Sequence, residues 1–304
     1  MSLKLTILGC GSATPTIDRN PTAQVLQVLE RFFLIDCGEG TQLQMRRNKI
    51  RPRHFDHIFI SHLHGDHYLG LFGLLSSLHL YSRNKPMYVF CPPKLKEIID
   101  LQLTASGTRL SYELHFHELV ENGEQLIIET NEAAVYSFPM NHRIPCWGFK
   151  FVEKPRPKSM KGEKIREYNI SFSKIDEIRN GNNFVNENGK IIPNDELTFP
   201  AKETRTYAFC SDTIYDESII PYVKGVDLLY HEATFAHELL DKATNRYHTT
   251  ALQAATFALK AEAKTLIIGH YSSRYGEVSA LLNEARTVFE NTIAASDNLV
   301  IEIS

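Results

Sequence analysis

No apolar run in the 304-residue sequence approaches the length that crosses a bilayer, and no secretory signal pattern precedes the first strand-like segment, Leu3–Leu8. A membrane protein is excluded on that reading, and a cytoplasmic one is expected. Paired cysteines are missing too. Cys10, Cys37, Cys91, Cys146 and Cys210 are odd in number and scattered, with neither Cys-x-x-Cys nor Cys/His finger spacing, so they should be reduced and mostly buried. There is no excess of one charge: 33 Lys and Arg against 36 Asp and Glu give a formal net charge of −3. A chain without a global positive field can hold nucleic acid only through a local patch. Gly9-Cys10-Gly11-Ser12 has the glycines of a dinucleotide loop, but Thr14-Pro15-Thr16 follows instead of a helix, so the segment reads as a turn.

What the sequence does have is Ser61-His62-Leu63-His64-Gly65-Asp66-His67, placed where the apolar run Ile58-Phe59-Ile60 stops. Imidazoles and carboxylates are poor core residues unless paired or bound to metal. At this spacing their donors suit zinc, and residues on either side of Gly65 can serve two neighbouring ions.

Strands and helices alternate along the chain, which argues an α/β fold. Helices are expected over Thr41–Arg47, Leu69–Ser82, Pro93–Leu103, Phe235–Lys242, Ala251–Lys260 and Val278–Phe289. His115 and His117 alternate with apolar residues and read as ordinary strand histidines, and His231 as structural. Four further strands each run into a metal-competent or acid–base residue: His142, Asp212, Glu232 and His270. Strand ends are where α/β folds gather their sites. Arg46, Arg47, Lys49, Arg51 and Arg53 form a basic cluster that reads first as a solvated face and second as an RNA contact. Between Glu153 and Arg205 the texture turns basic, then rich in Asn and Gly. No second hydrophobic core is visible there, so residues 153–205 are expected to be an insertion protruding from a single domain spanning 1–304.

His62-x-His64-x-Asp66-His67 resembles the signature of the metallo-β-lactamase superfamily, and nearly the whole chain resembles short-form ribonuclease Z (tRNase Z). Gly9–Pro15 is similar to that family's opening, Asp36-Cys37-Gly38-Glu39-Gly40-Thr41-Gln42 to its first motif, and Phe149–Pro157 to the approach to its substrate-binding arm. His231-Glu232-Ala233-Thr234 resembles its HEAT loop, His248-Thr249-Thr250 its His-Ser-Thr loop, and Gly269-His270-Tyr271-Ser272 its last motif. The sequence departs from the family at Ile17, where a lysine is expected, and in an arm segment without a Gly-Pro step.

The resemblance implies an αββα sandwich binding two zinc ions, with manganese as the alternative. His62, His64 and His142 would hold one ion and Asp66, His67 and His270 the other, with Asp212 bridging and Asp36 orienting an imidazole. The implied activity is endonucleolytic removal of 3′ trailers from precursor tRNA by attack of a metal-activated hydroxide. Asp66 would accept the proton, His248 would assist the leaving 3′ oxygen, and Glu232 would orient His248. Arg19 and Asn20 would handle the tRNA 3′ end, while Arg156, Lys158, Lys161, Lys164 and Arg166 of the arm would grip the tRNA body in a homodimer. The competing reading is a small-molecule phosphodiesterase or sulfatase of the same superfamily, which needs the metals but not the arm. A non-catalytic RNA-binding relative would keep the arm and lose the ligands, which are all present here.

Overall fold

A computed structural model describes residues 3–303. Segments whose apolar residues alternate between two faces form two seven-stranded sheets. The first contains β1 (Leu3–Gly9), β2 (Ala23–Val28), β3 (Arg31–Ile35), β4 (Phe55–Phe59), β5 (Met87–Cys91) and β6 (Leu114–Glu118), with the C-terminal β16 (Val300–Ile303) beside β1. The second contains β7 (Gln125–Glu129), β8 (Ala133–Met140), β9 (Cys146–Glu153), β12 (Thr206–Cys210), β13 (Leu228–Glu232), β14 (Thr265–Gly269) and β15 (Thr292–Ala294). Strands β3 to β6 run parallel in the first sheet, and β12 to β15 in the second.

The period-2 pattern sorts side chains between layers. Phe33, Ile35 and Phe59 enter the core between the sheets, whereas Leu34 and Ile58 face outward to helices α1 (Thr41–Arg47), α3 (Gly70–Leu80) and α4 (Leu95–Ala105). Rings interlock across the sheets, Phe33 with Phe151 at 5.5 Å and Phe59 with Phe149 at 5.3 Å between centroids. Truncating such a ring to alanine typically costs about 3–5 kcal/mol. On the far side of the second sheet lie α10 (Ala251–Lys260) and α11 (Ser279–Arg286), preceded in the chain by the short α8 (Ile220–Val223) and α9 (Leu240–Asn245). The layering is the expected αββα sandwich.

Residues Glu153–Thr204 form a compact unit separate from the rest of the described chain. It holds α5 (Gly162–Glu167), α6 (Phe172–Arg179), a hairpin of β10 (Phe184–Val185) and β11 (Ile191–Ile192), and α7 (Asn194–Leu197). The expectation that this stretch lacks a core of its own is corrected: Ile170, Ile178, Ile192 and Leu197 are buried together, with Met160, Ile165, Tyr168 and Phe184 around them. These apolar residues are diluted among charges and asparagines, so no continuous run announces them. The expected helix over Phe235–Lys242 starts later. Phe235 is extended, its carbonyl accepting the Ala251 N–H, and the α-helical turn begins at Leu240.

Candidate metal centre

The site lies at the C-terminal ends of the central parallel strands. β4 delivers Ser61 and His62, and the chain then turns into the four-residue α2 (Gly65–Tyr68), whose first turn carries Asp66 and His67. β8 leads to His142, β12 to Asp212 and β14 to His270, while Glu232 is the last residue of β13. Close backbone packing holds α2 against the loop after β3: a Cβ on Gly38 would sit 2.4 Å from the Asp66 carbonyl oxygen. Asp36, His270, Tyr247 and Ala13 all adopt positive φ, at 54°, 59°, 58° and 63°. Non-glycine residues persist there only where the surroundings fix them.

Partners on the outer side of the imidazoles assign their tautomers. His67 Nδ1–H donates to Asp36 Oδ2 at 2.7 Å. His142 Nδ1–H donates to the Tyr247 carbonyl at 3.0 Å. Thr234 gives its hydroxyl proton to Glu232 Oε2 and accepts His270 Nδ1–H at 2.9 Å. Ser61 gives its proton to Asp36 Oδ2 and accepts His62 Nδ1–H at 3.0 Å. Each of these four rings thereby turns an Nε2 lone pair inward.

The inward atoms form two groups. His62 Nε2 lies 3.0 Å from His64 Nδ1, which lies 3.2 Å from His142 Nε2. His67 Nε2 lies 3.3 Å from His270 Nε2, and Asp66 Oδ2 is 3.5 and 3.4 Å from those two atoms. Asp212 stands between the groups. Its Oδ2 is 3.6 Å from His62 Nε2, and its Oδ1 is 3.5 and 3.2 Å from His67 and His270 Nε2. His62, His64, His142 and Asp212 offer ligand atoms within 4.8 Å of one another, as do Asp66, His67 and His270.

This arrangement fits cations. In their neutral form the rings turn lone pairs on each other at hydrogen-bond distance, as His67 and His270 do at 3.3 Å, and the buried Oδ1 of Asp212 has no hydrogen-bond partner among the described residues. Burial holds His62 well below its ordinary pKa, and the surrounding imidazoles push it further down. Burial pulls His67 the same way, but Asp212, Asp66 and Asp36 outweigh it and raise it to about 10. Positive charge at the centre is favoured and the rings cannot all carry it, a deficit that nitrogen- and oxygen-bound divalent ions meet.

His248 lies beside this cluster, and a third grouping of Asp212, His248 and His270 also satisfies the ligand distances. Its Nδ1–H, however, donates to Glu232 Oε1 at 2.9 Å, which takes that nitrogen out of any ligand role. Glu232 is fully buried and accepts also from the Thr213 and Thr234 backbone N–H groups at 3.0 and 3.1 Å. Burial opposes its charge, but His248 prevails and holds the carboxyl down at about 2. Burial likewise opposes the His248 imidazolium, and Glu232 raises it to about 9. A capping box between Thr250 and Gln253 starts α10 just beyond His248 and fixes where that loop ends.

A cleft of about 700 Å³ opens over the cluster, lined by His64, Asp66, Asp212 and His248. Arg143, Arg246 and Arg274, all exposed, also line it, and none was singled out from the sequence. Arg143 directly follows His142, which was the available signal. Thr234 and Ser61, which fix imidazole tautomers, were missed for another reason: hydroxyls carry no spacing pattern. Arg19 donates to the Tyr275 carbonyl, and Asn20 donates its amide to Asp297 Oδ2 at 2.7 Å, so both are engaged within the protein. Ile17 is fully exposed. Within the 153–204 unit, Arg156 pairs with Glu153, Lys158 with Asp195 and Lys164 with Glu167, while Lys161 donates to the Asp195 and Glu196 carbonyls and Arg166 is exposed.

The family described as Anti-Pycsar protein Apyc1 matches residues 3–144, somewhat under half of the chain. Among solved structures, the metallo-β-lactamase fold protein YhfI of Bacillus subtilis is similar at a TM-score of 0.72, covering 99% of this chain and all of that one, at 17% identity. Human tRNase Z, short form, is similar at a TM-score of 0.74 and 27% identity, over 99% of this chain and 100% of that one. Fold and site together define a protein of the metallo-β-lactamase fold, with His/Asp clusters able to hold metal ions. Ribonuclease Z of Bacteroides thetaiotaomicron is 45% identical over 301 residues, which are 99% of this chain and 95% of its relative. The chain belongs to the ribonuclease Z family.

Proposed function

We propose that the protein is a zinc-dependent endoribonuclease that removes 3′ trailers from precursor tRNA, working as a homodimer in the cytoplasm. The observation that carries this reading is the pairing of two ligand groups around Asp212 with an acid–base dyad, His248–Glu232, that lies outside the ligand set. His62, His64 and His142 would hold one ion, Asp66, His67 and His270 the other, with Asp212 shared. Two such ions would lower the pKa of an attacking water and neutralise charge on the phosphoryl oxygens.

The protein groups divide the remaining work. Asp66 Oδ2 is fixed by the Ala13 N–H at 2.6 Å. Burial alone would raise Asp66, but His67 and His270 hold it below the usual carboxylate range, so it is ionised and available as a ligand; by the family resemblance it would also take the proton of the attacking water. His248, with Nδ1 committed to Glu232, keeps Nε2 to donate to the departing 3′ oxygen. Arg143, Arg246 and Arg274 give the cleft the positive rim a phosphodiester needs. Five free, buried cysteines suit a reducing compartment. Among the described residues no helix is long and apolar enough to cross a membrane.

The test is to incubate purified holoenzyme with precursor tRNA and map the product ends, beside metal analysis. Near two equivalents of metal per chain and a single cut at the trailer boundary are expected. His248→Ala should retain metal while losing roughly 10²–10⁴-fold in single-turnover rate. A fully active protein with one equivalent would rule out the two-ion arrangement. Cleavage of a small phosphodiester or sulfate ester without cleavage of tRNA would instead favour the small-molecule hydrolase.

A further inference from the structure

A second cavity, of about 1100 Å³, opens where α1 and α3 end, and cations line it: Arg46, Lys49, Arg51, Arg53 and Lys85, with the Tyr81 ring among them. Among the described residues no carboxylate lines it. All five cations are exposed, and none of them forms an ion pair with a described residue. That sets them apart from the lysines of the 153–204 unit, of which Lys158, Lys164 and Lys174 pair with local carboxylates. The bay is also ordered before any ligand arrives. Lys49 and Ser82 close their helices at positive φ, and the Ile50 and Arg83 N–H groups reach back five residues to the Met45 and Leu78 carbonyls. Beneath it, the buried Arg83 ties the loop down through Asp56 at 2.7 Å and the Lys85 and Pro86 carbonyls.

A solvated basic face at helix C-termini explains part of this, since cations there offset the helix dipole. It covers Arg46, in the last turn of α1. Lys49, Arg51 and Lys85 lie beyond either helix end, and Arg53 lies in the separate 3-10 turn Pro52–His54. We propose that this bay is an anchoring site for RNA backbone phosphates, separate from the cleavage cleft. The inference rests on the ribonuclease reading above. Leu69, just before α3, lines the cleft, and Leu78 and Tyr81, at its far end, line the bay. At 1.5 Å per residue, the eleven residues of α3 separate the two by roughly 16 Å. An RNA cut in the cleft therefore presents other phosphates to the bay. Arginine favours them by bidentate geometry, and Tyr81, 61% exposed, offers a ring to an unpaired base.

The test is equilibrium binding of precursor tRNA to the His248→Ala holoprotein, alone and combined with Lys49→Ala, Arg51→Ala and Arg53→Ala. Each phosphate left without its cation removes somewhat under one unit of salt slope, so the triple change should lower the slope by about 2–3 and weaken binding roughly 10- to 100-fold near physiological salt. A short trailer oligonucleotide, which fills only the cleft, should bind as before, and the thermal melt should not move. Unchanged precursor affinity and slope, with wild-type holoenzyme cutting the precursor, overturns the bay alone. Equal weakening for the short oligonucleotide also overturns it, because that marks a diffuse field and not a site. Failure of wild-type holoenzyme to cut precursor tRNA overturns the ribonuclease reading itself.

Discussion

His67 Nδ1–H donates to Asp36 Oδ2 across 2.7 Å, and neither side chain is more than 1% exposed. The bond fixes which nitrogen of His67 faces the cluster, and Ser61, bound to the same carboxylate, extends that control to His62. Removing the charge while keeping the shape should loosen metal without unfolding the sheet. Asp36→Asn is expected to weaken metal affinity roughly 10- to 100-fold. A competition titration against a chromophoric chelator measures it, and unchanged affinity would show that Asp36 merely caps β3.

Metal removal should also destabilise the fold. Without cations, the carboxylates of Asp66 and Asp212 remain among inward-facing lone pairs. Ions that bind only the native state stabilise it in proportion to the logarithm of their saturation, about 4 kcal/mol at a thousandfold excess over Kd. Calorimetry with and without a strong chelator should show the melting temperature fall by several degrees. Coincident melts would contradict a cluster built around cations.

The His248–Glu232 pair sets a pH window. His248 is raised, to about 9, so its contribution to stability is complete below its ordinary value near 6.5 and is lost as pH rises through about 9. Glu232 is lowered, to about 2, so its contribution is present above its ordinary value near 4.5 and is lost only as pH falls through about 2. If His248 is the acid, single-turnover cleavage should decline on the alkaline side, and Glu232→Gln should move that limb toward lower pH. Bound cations shift the limb downward in both proteins and leave the direction of the displacement intact. An alkaline limb indifferent to Glu232→Gln would separate His248 from the chemistry.

The clustering of His and Asp side chains was legible because chemistry forces such residues into a pattern. Imidazoles and carboxylates directly after apolar strands are conspicuous, and the helices expected over Thr41–Arg47 and Ala251–Lys260 are found with those bounds, the second opened by its own capping box. What stayed hidden depends on three-dimensional neighbours. Thr234 and Ser61 matter because of what they bond, and Phe235 lost its expected helix to a bridge with Thr250. Strand β15, three residues long, was too short for any alternation to register. The small core at Ile170, Ile178, Ile192 and Leu197 was masked by the polar residues between them. Burial, and not composition, revealed it.

That core shapes the test of the 153–205 insertion as a tRNA-binding arm. Because the unit packs around its own isoleucines and pairs Lys158, Lys164 and Lys174 internally, neutralising single lysines confounds binding with folding. Whole-unit deletion is cleaner, and the strands permit it. Val152 of β9 pairs directly with Thr206 of β12 in antiparallel register, so an Asn-Gly turn can join them once Glu153–Arg205 is removed. The His/Asp clusters able to hold metal ions lie outside this segment, and hydrolysis of a small phosphodiester should be retained. Precursor tRNA binding should weaken, and its salt dependence should flatten by about one unit for each phosphate the arm had neutralised. Of the five arm cations named from the sequence, Arg166 is exposed and stands outside the ion pairs that hold Arg156, Lys158 and Lys164. Undiminished tRNA affinity in the deletion, with the bay variant weakened, would move substrate anchoring from the arm to the α1–α3 face. Loss of small-phosphodiester hydrolysis would mean instead that β9 and β12 need the segment to hold Asp212 in place.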